Sequence, residues 1–148
     1  MGQRRRAREC ALQMLFQIDL AGGAPDDVYP LFWTQHEAEP EVRTFAESLV
    51  QGVVREREGL DRIIAGSAAH WRIERMAVVD RNILRMAVYE MGWIPETPPP
   101  VVLDEAIEVG KKFGSEQSGA FINGILDAVR KRFAQGENPA GTPREGRS

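Results

Sequence analysis

Arg4, Arg5, Arg6 and Arg8 gather four guanidinium groups at the start of the chain. A guanidinium is a permanently charged, planar donor that engages phosphate oxygens in pairs, so a dense cluster suits the backbone of a nucleic acid. Aromatic rings supply the other half of single-strand recognition by stacking on splayed bases. Phe16 lies on the helix face turned away from the apolar stripe, and Phe121 lies at the border of one. Gln117 precedes Phe121 by one turn, near a helix N-terminus whose free N–H groups attract anions. Taken alone, the arginine run fits a solvated basic terminus equally well, and Phe121 fits the edge of a core.

Bond-making chemistry has less support. The run Gly110-Lys111-Lys112-Phe113-Gly114-Ser115 has neither the spacing of a phosphate-binding P-loop nor a strand before it. Gly114-Ser115-Glu116-Gln117-Ser118-Gly119 does not form a nucleophile elbow. His36 and His70 have no nucleophile near them in sequence, and the single Cys10 reads as a small packing residue. With one cysteine and two histidines, a metal centre is not expected. The carboxylate pairs fall on exposed helix faces or near N-termini, where capping and salt bridges account for them. No catalytic residue, cofactor or metal is expected.

The charge is distributed in blocks. Residues 1–18 carry +3 and residues 19–61 carry −7, while residues 111–135 return to +3 within a net charge of −3. Opposed blocks of this kind suggest one surface for a polyanion and another for a protein. With 43% hydrophobic residues among 148, the chain can bury one sizeable core. We expect a single domain over residues 1–135 and a disordered tail over 136–148, where Gly, Asn, Pro, Thr and Ser dominate. No apolar run approaches a membrane span, and the basic start lacks the apolar core of a secretory signal. A cytoplasmic protein is expected.

The elements that must position these groups are helices. Ala7, Ala11, Met14, Leu15 and Ile18 recur on one helical face, and Gly22-Gly23 ends the pattern. Arg5, Glu9 and Phe16 fall on the opposite face, with Arg4 and Arg8 on one flank. Val28 to Trp33, interrupted by Pro30, is too short to carry chemistry, and its aromatics read as a cap on the core. From Pro40 a strong stripe runs through Val42, Ala46, Leu49, Val53, Leu60 and Ile64, a long helix or one with a bend near Gly59. A further helix is expected from Val79-Asp80 to Met91, with Arg81, Arg85 and Glu90 turned outward and Asp80 as a first-turn acid. Pro95 to Pro100 is expected to be a stiff, non-helical connector. Val102 to Phe113 and Ser118 to Phe133 complete the helices. No strand of alternating period is evident, so the fold class is all-α.

Four blocks carry a resemblance. Arg4 to Gln13, Val79 to Glu90, Asp104 to Gly114, and Phe121-Ile122-Asn123-Gly124-Ile125-Leu126-Asp127 are similar, in that order, to the bacterial transcription antitermination factor NusB family. The resemblance implies seven helices in two three-helix halves packed roughly perpendicular. It implies binding of the boxA element of leader and ribosomal RNA together with the ribosomal protein NusE, within a transcription elongation complex containing RNA polymerase. By the same resemblance Arg4, Arg5, Arg6 and Arg8 meet phosphates, and Phe16, Gln117 and Phe121 lie beside the RNA. Gln117 stands where the family often has an acid. Asp80, with Arg81 and Arg85 beside it, is implied at a partner-protein surface. The alternative is a protein-interaction module of the same fold without RNA contact. A related domain precedes RNA cytosine methyltransferases, and a fused form of that kind is not expected here.

Overall fold

A computed structural model describes residues 2–137, and the expected tail lies almost entirely outside them. The described residues form seven α-helices and one 3-10 turn, with no strand among them. They are α1 (Gly2–Ala21), α2 (Pro25–Gln35), α3 (Pro40–Arg55), α4 (Arg57–Ser67), α5 (Val78–Trp93), α6 (Pro99–Phe113) and α7 (Ser118–Ala134). The 3-10 turn, Ile73–Arg75, leads into α5. No helix among the described residues is long and apolar enough to cross a membrane.

The helices sort into two groups around α5. In the first, α1 packs mainly on α3, with α2 laid across both. In the second, α5, α6 and α7 pack on one another, and α4 closes against α5 and α7. Helix α5 also touches α1 and α3, so it is the common wall. Its run Asn82 to Gly92 is buried without interruption, as expected of a helix with apolar residues at every angle.

Several boundaries differ from the sequence reading. The segment around Tyr29 is a full helix of 11 residues, α2. Pro25 occupies its first turn, where a missing N–H costs nothing, and Pro30 is accommodated inside it. Phe32 and Trp33 are buried there, as a core cap requires. The stripe beginning at Pro40 breaks at Glu56, not near Gly59. The break is mild, because the Glu56 N–H still donates to the Gly52 carbonyl and the Glu56 carbonyl still accepts from Leu60. Pro99 and Pro100 are helical, contrary to expectation. They open α6, whose first N–H groups have no partner to lose. Gly22 takes φ +80°, a left-handed stop for α1, and its N–H donates to the Ile18 carbonyl. At Gly52 the Tyr89 ring lies where a Cβ would stand, which lets α5 close on α3.

Candidate nucleic-acid interface

Helix α1 runs antiparallel to α5, and a buried ion network fixes each end of the pair. At the N-terminal end the Arg8 guanidinium forks onto Glu90, Nε at 3.0 Å from Oε1 and Nη2 at 2.6 Å from Oε2. Arg8 also lies 3.5 Å from Glu105 of α6. At the other end Asp19 accepts from Arg81 at 2.8 Å, Asn82 at 2.8 Å and Arg85 at 3.1 Å. Arg85 continues to Asp61 of α4 at 2.7 Å. Burial alone would push the Asp19 carboxyl up. The hydrogen bonds from Arg81 and Asn82, with the charge of Arg85, outweigh it and hold the group well below the usual carboxylate range.

These networks correct the sequence reading at specific positions. Arg8, expected in solvent, is 5% exposed and engaged in the interior. The reason is local, since Leu12 and Leu15, at i+4 and i+7 from Arg8, are themselves buried and widen the inner arc of α1 to include it. Arg85 and Glu90, expected to face outward, are 3% and 1% exposed. Asp80 is also buried and accepts the Ser118 hydroxyl at 2.7 Å. Arg81 lies mostly covered against Asp19. Of the residues expected at a partner surface, Asp80 and Arg85 are therefore interior, packed between α1, α4, α5 and α7, while Arg81 stays partly exposed at the start of α5.

The other arginines of the run keep more freedom. Arg5 is half-exposed and pairs with Glu105 through Nη2 at 2.9 Å. The hydrogen bond from Arg5 outweighs burial and lowers the Glu105 pKa, and the same bond raises that of Arg5. Arg4 is exposed and lays its guanidinium over the Phe45 ring, 3.8 Å from the centroid. Arg6 donates to the Glu37 carbonyl at 3.0 Å. Neither Arg4 nor Arg6 is paired with a carboxylate among the described residues. Both line an open groove with Gln3, Ala38, Glu39 and Arg43.

Toward its C-terminus the same helix presents Phe16, 37% exposed. Eight residues separate it from Arg8, about 12 Å along the axis. Between them Glu9 accepts the Lys112 ammonium at 3.0 Å, which seats the end of α6 on α1. Lys112 was not among the residues expected at the site. Its place in a Lys111-Lys112 pair at a helix C-terminus reads equally well as complement to the dipole. The turn from α6 to α7 is closed by the Ser115 N–H donating to the Ser118 hydroxyl at 2.9 Å, and Gln117 is exposed on it. Phe121 follows in the first turn of α7, half-buried, with its ring edge-to-face with Trp71 at 5.3 Å. Trp71 was not expected at the site either. The Asp19–Asn82 and Asp80–Ser118 bonds tie the end of α1, the start of α5 and the start of α7 together. Phe16, Gln117 and Phe121 project from or beside these tied elements, and Trp71 meets Phe121 from the turn that follows α4.

The arrangement offers cations and rings on a rigid helical frame. No group of His, Cys, Asp and Glu able to hold a metal ion is present among the described residues. Cys10 is fully buried, and burial pushes its thiol up, away from reactivity.

Comparison with known proteins agrees with the frame. Residues 5–131 match the model of the NusB family. A transcription antitermination protein NusB of Anaeromyxobacter dehalogenans is 52% identical over 128 residues, covering 86% of this chain and 89% of its own. One from Desulforapulum autotrophicum is 45% identical, covering 93% and 99%. Among solved structures, a chain from the crystal structure of a plectonemic RNA supercoil is similar with a TM-score of 0.86 at 30% identity, covering 93% of this chain and 100% of that one. A chain from the crystal structure of antitermination factors NusB and NusE in complex with dsRNA gives 0.81 at 31%, covering 89% and 98%.

Proposed function

The chain belongs to the NusB family, and on that premise we propose that it is a non-catalytic antitermination factor that binds boxA RNA jointly with NusE. It acts in the cytoplasm, on elongation complexes containing RNA polymerase. One observation carries the reading. A fold that matches a solved NusB–NusE–RNA assembly over nearly the whole of one of its chains retains exposed cations and the ring of Phe16 along α1. Arg4, Arg5 and Arg6 contact phosphates, Phe16 and Phe121 stack on bases, and Gln117 offers its amide beside them. Arg8 serves by fixing the helix that carries the others.

This set binds a flexible strand modestly, since few contacts must offset the ordering of the RNA. A partner that extends the surface is the physical remedy, and NusE fills that role. Three phosphate contacts on a single strand predict a salt dependence of log K with slope about −2. Fluorescence anisotropy with boxA and a scrambled RNA, with and without NusE, tests the reading. Preference for boxA that grows with NusE is expected. Replacing Arg4 and Arg6 together by Ala should weaken binding and make the slope shallower by about 1.4. Equal binding of boxA and scrambled RNA in both conditions would overturn it.

A further inference from the structure

Trp71 is a large ring left 52% exposed on a segment that is otherwise pinned. Its own N–H donates to the Ala68 carbonyl at 2.8 Å, closing the turn that leaves α4. Beyond it, Arg75 N–H donates to Arg72 and Met76 N–H to Ile73, and Met76 is buried in the core. The indole is thus carried by a short stretch anchored on both sides, and its exposure does not come from a loose loop. The Phe121 ring meets it at 80°, an edge-to-face contact that fixes the pair while leaving indole surface in water.

We propose that Trp71 is a second stacking platform, taking a nucleobase of the RNA strand next to the one at Phe121. The proposal rests on the RNA reading above and assigns a residue that neither the arginine run nor the ring pattern singled out. Three observations favour a base over a protein side chain. The apolar area is one ring pair, too small for a protein interface core. Its surroundings are polar and cationic, with His70, Arg72 and Arg75 exposed. Arg72 meets only the exposed Glu74, at 3.4 Å, and Arg75 pairs with no carboxylate among the described residues. A π face with guanidinium groups beside it matches a nucleotide, whose base needs stacking and whose phosphate needs a cation.

The test uses the full chain with boxA RNA, read by anisotropy and by intrinsic fluorescence. Trp33 is buried and Trp93 partly so, which leaves Trp71 as the indole most open to quenching by a stacked base. Expected are quenching on binding, loss of that quenching in Trp71→Phe with most of the affinity kept, and a drop of about fivefold to a hundredfold in Trp71→Ala. The salt slope should not change, because no phosphate contact is removed. Unquenched binding, or wild-type affinity in Trp71→Ala, would overturn the inference and leave the RNA reading standing. Failure of the wild type to prefer boxA, with or without NusE, would bring down both.

Discussion

The two ends of α1 use the same chemistry with the polarity reversed. Near the N-terminus the guanidinium belongs to α1, and the carboxylates, Glu90 and Glu105, come from α5 and α6. Near the C-terminus the carboxylate belongs to α1, as Asp19, and the guanidinium groups come from α5. Arg8 and Asp19 on α1, and Arg81 and Glu90 on α5, stand toward the ends of their helices that the dipole disfavours. Pairing across an antiparallel neighbour offsets that cost at both ends. The difference lies in what is left over. Asp19 is nearly enclosed and fully engaged, whereas the arginine end holds more cations than the carboxylates beside it, and Arg4 and Arg6 remain facing water. A basic run in a sequence is therefore not one site but a buried anchor and an exposed remainder.

The comparison can be broken most forcefully at its anchor. Replacing Arg8 by Ala strands Glu90 at 1% exposure, and a loss of about 3–5 kcal/mol in urea unfolding is expected. Exchanging Arg8 and Glu90 together for apolar residues of similar volume should cost much less. An Arg8→Ala protein of unchanged stability would return Arg8 to the solvent-facing set. Asp19→Asn is the next largest, at about 1.5–3 kcal/mol for a lost charge-assisted bond. Because the folded Asp19 pKa is depressed, its stabilisation is present above the unfolded value of about 3.9 and is lost as pH falls below it. Urea titrations between about pH 5 and 2 should show a flatter acid limb in Asp19→Asn than in the wild type, and parallel limbs would refute the assignment. The smallest effect sharpens the contrast. Arg4→Ala with Arg6→Ala should change stability by no more than about 0.5 kcal/mol, as exposed substitutions do. A larger loss by thermal melting would make those arginines structural as well.

The helical architecture was legible because its signal is local. Apolar positions at helical spacing identified the inner faces of α3, α6 and α7, and Gly22 stands at the end of α1 as read. The ion networks were harder, since Arg8 and Glu90 are 82 positions apart and nothing local couples them. A usable clue existed all the same. From Ile83 to Met91 apolar residues occupy every angle of the helix, so Arg85 and Glu90 could not both face water. Leu12, overlooked in the apolar stripe of α1, likewise placed Arg8 inside. At the candidate site Phe16, Gln117 and Phe121 were readable as exposed or half-exposed. Trp71 was not, because its pairing with Phe121 depends on how the turn after α4 folds back onto α7. Pro99 and Pro100 misled because the rule against helical proline does not hold in a first turn.

Clamped at Arg8 and again at Asp19, eleven residues or about 16 Å apart, α1 meets any strand as a stiff bar that has already surrendered its own freedom. Disorder removed during assembly must then be taken almost wholly from the ribonucleotide chain. Encounter should proceed without a slow rearrangement on the protein side, at a speed set by how often the strand happens to lie straight.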